Sequence, residues 1–301
     1  MAAALSDAVR SASPARTRSP RWRRIVSRRN AKGLVGAGIA LVILLVALGA
    51  PLLTDHDPTK PHLVARLTPP AWQAGGSWDH PLGTDNLGRD LWSRVVFGSR
   101  ISLAVGLVSV VVAGIGGVLL GVLAGYFGGL LDHVIMRLAD VQLAFPFLLL
   151  AIFVISVLRP NATNLIVVLA ISGWVIYARM SRAATLSLRE QDYVVAAKVL
   201  GASSPRVLLR HILPNAMPLV FVIVTYQVGQ MILAESALSF LGLGVPPPTP
   251  TWGSIVGEGR EYIDVAWWII TFPGIALMLT VVGLGFLGDW LRDRIDPTLR
   301  H

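Results

Sequence analysis

The sequence predicts an all-α protein, a polytopic membrane helix bundle with six transmembrane helices. Hydrophobic residues make up 54% of the chain and charged residues only 14%, a composition that ordinary soluble domains do not have. In addition, six apolar runs approach or exceed the roughly 20 residues that cross a bilayer as a helix. These runs cover residues 33–53, 100–125, 138–158, 164–180, 216–241 and 265–288.

The first run follows a basic stretch, residues 1–32, which is rich in Ser, Ala, Pro and Arg. We expect this stretch to be a cytoplasmic tail that is partly disordered. A basic lead before an apolar run is also typical of a secretory signal peptide. However, the run 33–53 is too long for the apolar part of such a peptide, and cleavage after Ala50 would place Pro51 beside the cut. We therefore expect the first transmembrane helix here.

The distribution of Lys and Arg predicts the topology. Most of these 26 residues lie in the N-terminal tail, the turn after the second span, the connection after the fourth span and the C-terminal end. Because cytoplasmic loops are enriched in Lys and Arg, we expect both termini of this multi-pass membrane protein in the cytoplasm. The same distribution accounts for the net charge of +9 without a nucleic-acid partner.

The longest polar connection, residues 54–99, is expected on the extracytoplasmic side. Within it, Asp85 is predicted to cap an amphipathic helix from about Asn86 to Phe97. Its apolar stripe would consist of Leu87, Leu91 and Val95. The candidates for extracytoplasmic contact, which face elsewhere, are Arg89, Asp90 and Arg94. The helix either covers the bundle, which the pattern favours, or contacts a soluble binding protein.

Two spans carry features of helix packing. Glycines recur every fourth residue in the second span and would let another helix approach backbone to backbone. These glycines are Gly117, Gly121 and Gly125. In the third span, Pro146 is expected to break the hydrogen-bond ladder. Two alternatives stay open for Asp132 and Arg137 near its start, which would either pair with each other or meet lipid headgroups.

The connection between the fourth and fifth spans is predicted to form a helix, a break and a second helix over Tyr193–Asn215. Gly201 is a natural end for the first helix, because glycine adopts left-handed backbone angles without a steric clash. Ser204 followed by Pro205 is typical of the start of the next helix. A short helical pair that projects from a membrane protein into water is expected to be a docking element.

The fifth span carries three polar side chains on one face, Gln227, Gln230 and Glu235. A carboxylate that faces lipid would be costly, so this face is expected to look inward or towards a partner. Two readings compete equally. The face either lines a substrate pathway shared with a second membrane subunit, or it forms a hydrogen-bond network between helices.

Several kinds of chemistry are not supported by the sequence. Cysteine is absent, and none of the three lysines follows a glycine, so there is no phosphate-binding loop for ATP. We find no residue cluster with metal-ligand spacing and expect no metal site. A secondary transporter is disfavoured because no internal repeat is visible. An intramembrane enzyme is disfavoured because Glu235 has no catalytic partner in the sequence.

Several motifs carry a resemblance to a known family. Ala196-Ala197, Gly201 and Leu213-Pro214 have the spacing of the EAA loop of ABC-importer permeases, although Val195 and His211 depart from that motif. The stretch HPLGTDNLGRDLWSR, which begins at His80, resembles the signature of the dipeptide/oligopeptide/nickel permeases. So do AESALSFLGLG from Ala234 and GDWLRDRIDPTLR from Gly288. The resemblance covers roughly residues 33–298.

The resemblance implies a C-type, six-span permease subunit of the bacterial plasma (inner) membrane, with a MetI-like fold. Its transmembrane core would cover residues 100–288, with a cytoplasmic coupling loop at about 186–215 and a C-terminal tail at 289–301. The expected partners are a homologous second permease, two ATPase subunits, an extracytoplasmic peptide-binding protein and membrane lipids. The subunit itself would not be an enzyme and would bind no cofactor, because ATP and Mg²⁺ would sit on the ATPases. Nickel or another small solute is the alternative cargo.

The resemblance also implies functional residues. The positions that fall on the coupling loop are Tyr193, Ala196, Ala197, Lys198, Gly201, Ala202 and Pro214. Gly201 and Ala202 are expected to make the closest contact with the ATPase, because small side chains permit close approach.

Overall fold

The computed structural model describes residues 28–295, and every regular element among them is helical. Short 3₁₀ turns at Leu63–Ala65 and Arg260–Tyr262 and a π-helical turn at Leu208–Ile212 supplement the α-helices. The α-helices are α1 (Arg28–Leu48), α2 (Ala50–Leu53), α3 (Leu91–Phe127), α4 (Gly129–Leu143), α5 (Phe147–Leu158), α6 (Ala162–Leu188), α7 (Asp192–Val199), α8 (Ser204–Val207), α9 (Leu213–Phe240), α10 (Trp252–Gly259) and α11 (Trp268–Ile295).

Within this described range, five helical stretches are long and apolar enough to cross a bilayer: α1, α3, α6, the run from α8 through α9, and α11. A sixth span results if the pair α4 and α5, which is bent by 94°, counts as one crossing. The prediction of an all-helical bundle is therefore confirmed. The start of α3, the end of α9, α10 and the start of α11 lie at one end of the bundle, here called the upper end. The lower end holds the end of α3, the end of α6 and the connection to α9.

Helices α3 and α6 form the closest pair in the bundle. A Cβ atom added to Gly117 would lie 2.3 Å from the Trp174 carbonyl oxygen, and one added to Gly121 would lie 2.2 Å from the Ala178 carbonyl oxygen. The glycine stripe of the second span therefore lets two backbones touch, as predicted. Since lipid provides no hydrophobic drive between helices, such close van der Waals packing holds the bundle together.

The third predicted span is broken. Helix α4 ends at Leu143, and Pro146 directly precedes α5. Proline lacks the N–H that a continuous helix needs, which accounts for the break. Asp132 does not pair with Arg137 but forms an ion pair with Arg182 on α6, with Nη2 and Oδ2 2.6 Å apart. The pair fastens the lower half of α4 to α6.

The predicted helix from Asn86 to Phe97 differs from the structure in its start and its extent. Helix α3 begins at Leu91 and continues without interruption through the second span. Asp90 rather than Asp85 caps it, because the Asp90 carboxylate accepts the Ser93 N–H at 2.7 Å.

The exposure of the candidate contact residues at the upper end also differs from the prediction. Arg89, Asp90 and Arg94 were expected to face away from the packed side of their helix. They are buried, with 4%, 4% and 1% of their surface exposed. In this fold their side chains do not form an open surface.

Candidate functional site

The connection between α6 and α9 is here called the docking segment, residues 192–215. It consists of α7, a turn, α8 and the π-helical turn that leads into α9. The predicted helix, break and helix are present. The break is a left-handed turn at Gly201, whose φ is +85°. The N–H of Ala202 donates to the Ala197 carbonyl at 3.0 Å, so this turn closes α7.

The second helix starts one residue away from the predicted position. Ser203 rather than Ser204 occupies the N-cap position of α8, without a capping hydrogen bond from its side chain, and Ser204 is already helical. Pro205 lies in the first turn, where a missing N–H costs nothing.

Three side chains anchor the docking segment to the bundle. Val194, Val207 and Ile212 have no exposed surface and belong to the apolar cluster that also contains Tyr177 of α6. Each of the two short helices therefore has one side held in the core. This accounts for an ordered segment in which α7 has only eight residues and α8 four, since isolated helices of this length are not stable in water.

The opposite side of the docking segment carries apolar side chains that are almost fully exposed. Val199 is 82% exposed and Leu200 is 87% exposed, and both lie directly before Gly201. A Cβ atom added to Gly201 would have no neighbour within 4 Å. This exposed group, Val199–Gly201, is here called the apolar tip.

The predicted coupling residues surround the apolar tip in different environments. Tyr193, Ala196, Lys198 and Pro214 are exposed, whereas Ala197 and Ala202 are half-buried. Ala202 packs against the core cluster, so it lies beneath the turn rather than on its surface. The centre of the Tyr193 ring lies 6.2 Å from that of His211, one of the two residues that depart from the EAA motif. This contact packs α7 against the π-helical turn.

Two cations fasten the docking segment to the lower end of α3. The Lys198 Nζ lies 4.9 Å from the centre of the Tyr126 ring. Arg189, just before the docking segment, donates from Nη1 to the Gly125 carbonyl at 2.8 Å. Tyr126 could not be identified from the sequence, because the contact joins residues far apart in the chain.

The polar face predicted on the fifth span divides into three environments. Gln230 is exposed, Gln227 is 8% exposed, and Glu235 is fully buried. Oε1 of Glu235 accepts the Ser239 hydroxyl at 2.6 Å, and Oε2 accepts the Ser236 hydroxyl at 3.2 Å. The Glu235 carboxylate is thus hydrogen-bonded within its own helix, α9, and Gln230 faces outward from the chain.

A groove of about 760 Å³ lies between α6, α9 and α11 in the lower half of the bundle. Its walls are mainly apolar, and Tyr226, one turn from Gln230, is among them. Asn215, at the end of the docking segment, also lines it. Tyr226 and Gln230 are both exposed, and the side of α9 that carries them is here called its open face. The groove therefore connects the open face of α9 with the docking segment.

At the upper end, a cluster of four charged side chains joins the connection before α3 to α10. This upper clamp consists of Asp85, Arg89, Arg94 and Glu258. Oε2 of Glu258 accepts hydrogen bonds from Arg89 at 2.6 Å and from Arg94 at 2.7 Å. Arg89 also donates to Asp85 at 2.6 Å, and Arg94 contacts the same carboxylate.

Neighbouring contacts extend the upper clamp. The Asp90 carboxylate lies 3.0 Å from Nδ1 of His80, and the Trp268 indole donates to the Thr84 carbonyl at 3.0 Å. The stretch that begins at His80 thus packs against α10 and α11 through its polar side chains and backbone. Its partner Glu258 could not be identified from the sequence, because nothing in the local pattern marks that residue.

The comparisons with known proteins agree with this architecture. The family described as binding-protein-dependent transport system inner membrane component matches residues 117–301. The di/tripeptide transport system permease protein DppC of Pseudomonas aeruginosa is 41% identical over 280 residues, which cover 93% of this chain and 92% of that relative. The dipeptide transport system permease protein DppC of Escherichia coli is 42% identical over 274 residues, 91% of each chain.

A further relative and a solved structure extend the comparison. The dipeptide transport system permease protein DppC of Haemophilus influenzae is 39% identical over 91% of this chain and 93% of that relative. An inward-facing structure of the MetNI methionine ABC transporter has a chain that superposes with a TM-score of 0.58 at 20% identity, covering 68% of this chain and 98% of that one. At this identity the likeness concerns the fold, which is of the MetI type. The chain belongs to the family of binding-protein-dependent transport system inner membrane components.

Proposed function

We propose that this chain is the permease subunit of an ATP-driven importer of dipeptides and other short peptides. Relatives in three bacteria are named for dipeptide or di/tripeptide transport, and their similarity extends over more than nine-tenths of this chain. This supports a peptide cargo over nickel or another small solute, the alternative within the same architecture.

The observation that carries the proposal is the apolar tip of the docking segment. Val199 and Leu200 expose more than four-fifths of their surface at the end of a membrane bundle where the chain is otherwise basic. Apolar side chains held in water by a rigid support are typical of protein contacts. The lack of neighbours around Gly201 gives a partner room to approach the backbone. An ATPase subunit is the partner we propose for this surface.

The remaining parts of the transporter follow from this assignment. The lower end would face the cytoplasm, with both termini on that side, as the Lys and Arg distribution favours. Two ATPase subunits would bind and hydrolyse ATP with Mg²⁺, and this chain would bind no cofactor. A homologous second permease would complete the pathway, and a binding protein would deliver peptide to the upper end.

We propose the open face of α9 as part of the translocation pathway. Gln230 and Tyr226 lie on this face, and Tyr226 lines the groove. An exposed glutamine amide is poorly placed against lipid, so a second permease or a water-filled path suits it better. Alternating access would result if the docking segment occupies different positions in the ATP-bound and ATP-free arrangements of the ATPases.

Gly201 provides the test of the docking assignment, and Gly242 is its matched control. Gly242 ends α9 at the upper end with φ +78°, and its Cβ position is equally open. In both turns the glycine N–H donates a hydrogen bond of 3.0 Å to a backbone carbonyl. The acceptor is the Lys198 carbonyl for Gly201 and the Ser239 carbonyl for Gly242. Because the strain of a side chain at positive φ is the same, only the surface differs between the two substitutions.

We expect Gly201→Asp to abolish ATP-driven uptake of a labelled dipeptide into membrane vesicles while the chain stays in the membrane. Gly242→Asp should retain most of the uptake. Equal uptake by both variants would contradict the docking assignment, and absence of dipeptide uptake in vesicles with the unaltered chain would contradict the proposed function.

A further inference from the structure

We propose that Tyr126 is a positioning residue that ties the docking segment to α3 through Lys198, so that α3 receives the movement of the docking segment. The inference rests on the proposed function. Lys198 was expected from the sequence to contact the ATPase, whereas here it contacts a residue of its own chain. Tyr126 has no assigned role in the motif that defines the docking segment.

The first support is the geometry of the two side chains. The Lys198 ammonium lies 4.9 Å from the centre of the Tyr126 ring, within the range of a cation–π contact. Two further contacts hold the ring: Phe127 meets it edge-on with the ring centres 5.1 Å apart, and the ring packs against the core cluster. Because the Tyr126 ring is fixed and the Lys198 side chain is long and flexible, the ring determines where the Lys198 ammonium lies.

The second support is an independent tether at the same helix end. Arg189 donates to the Gly125 carbonyl at 2.8 Å, one residue before Tyr126. The last carbonyls of a helix lack helical partners and carry partial negative charge, so cations bind favourably there. One cation precedes α7 and the other lies in its last turn. Helix α7 is therefore fixed to α3 near both of its ends.

The third support is the continuity of α3 itself. Its 37 residues form one helix without an internal proline, and at a rise of about 1.5 Å per residue it spans about 55 Å. At the other end of this helix, Arg94 is bound in the upper clamp. A displacement of the docking segment is thus applied to a rod whose far end holds α10. This gives the docking segment a direct connection to the upper end.

The test compares Tyr126→Leu with Tyr126→Phe. Leucine removes the aromatic face, whereas phenylalanine keeps it and loses only the hydroxyl. The readout is the number of labelled di-alanine molecules taken up per ATP hydrolysed, in vesicles that contain the complete transporter with its binding protein. We expect Tyr126→Leu to lower this ratio about two- to fivefold, the range of a partly exposed cation–π contact, and Tyr126→Phe to keep it.

Lys198→Met provides a second variant that leaves the buried packing untouched, because Lys198 is exposed. It should lower the ratio by a similar factor, and the double variant Tyr126→Leu with Lys198→Met should be no worse than either single one. The matched control is Arg294→Met, which removes a cation 4.8 Å from the Trp290 ring on α11 and should leave the ratio unchanged.

Three results would overturn the inference. The ratio could stay unchanged in Tyr126→Leu, Tyr126→Phe could be as impaired as Tyr126→Leu, or the two single effects could multiply fully in the double variant. If the vesicles import di-alanine and Gly201→Asp stops this import while Tyr126→Leu does not affect the ratio, only the tether is wrong. If the unaltered transporter imports no peptide, the proposed function fails with it.

Discussion

Arg94 is one of the largest fully buried side chains of the protein, and two carboxylates from distant parts of the chain hold it. Removing a buried guanidinium from water is costly unless it is paired and hydrogen-bonded. Asp85 and Glu258 satisfy both of its terminal nitrogens. The position of α10 therefore depends on a polar contact as well as on apolar packing.

We predict that Glu258→Gln lowers the stability of the protein by about 1.5–3 kcal/mol, the usual contribution of hydrogen bonds to charged groups. The substitution removes the charge that balances Arg89 and Arg94 and keeps the side-chain volume. Thermal unfolding of the purified protein in detergent would measure the effect.

Glu261→Gln is the control for this experiment. Glu261 lies three residues further along the chain and is exposed. Surface substitutions of this kind change stability by within about 0.5 kcal/mol. Equal melting temperatures for the two variants would argue against a stabilising role of the upper clamp.

Among the elements, α3 and α6 depend on glycine for their close approach. A Cβ atom at position 121 would come within 2.1 Å of the Ser181 hydroxyl oxygen and 2.2 Å of the Ala178 carbonyl oxygen. Backbone atoms of the facing helix have little room to move, so an added methyl group must separate the helices. By contrast, a Cβ atom at Gly116 on the same helix would have no neighbour within 4 Å.

Gly121→Ala is therefore predicted to destabilise the protein by about 1–3 kcal/mol, the usual cost of overpacking a core. Gly116→Ala should leave stability unchanged or raise it slightly, because alanine is the better helix former. Comparison of the two melting temperatures in detergent checks the prediction. A loss of stability for Gly116→Ala as large as that for Gly121→Ala would refute the packing account.

Long apolar helices were predictable from the sequence, whereas helix starts and the short helix α10 were not. The break at Pro146 and the turn at Gly201 could be predicted because both residues impose backbone geometry by themselves. Helix α10 was missed because its eight residues follow a proline-rich stretch and form no long apolar run. The start of α3 was misplaced because both Asp85 and Asp90 are reasonable caps, and only the tertiary contacts of Asp85 decide between them.

The candidate site was predictable to a similar degree. The docking segment was located from the local motif, and the anchors Val194, Val207 and Ile212 follow from its folding onto the core. Tyr126 and Glu258 could not be found, because their partners lie many residues away along the chain. Contacts over such distances leave no periodic pattern in a single sequence.

On the scale of the whole molecule, the two ends of the bundle have different characters. The upper end is held together by the buried ion pairs of the upper clamp. The lower end presents the apolar tip, and the groove opens in the same half of the bundle. Helix α3 connects the two ends. This polarity suits the proposed function, in which a movement on one side of the membrane changes access on the other.

The central claim is that this chain carries peptides, and uptake by living cells tests it most directly. Labelled dipeptides, tripeptides, longer peptides and nickel would be offered to a strain that lacks the gene and to the same strain with the gene restored. We predict that the deletion lowers uptake of dipeptides and that the restored gene recovers it, while nickel uptake is unchanged. Unchanged peptide uptake together with lost nickel uptake would contradict the peptide assignment and leave the architecture intact.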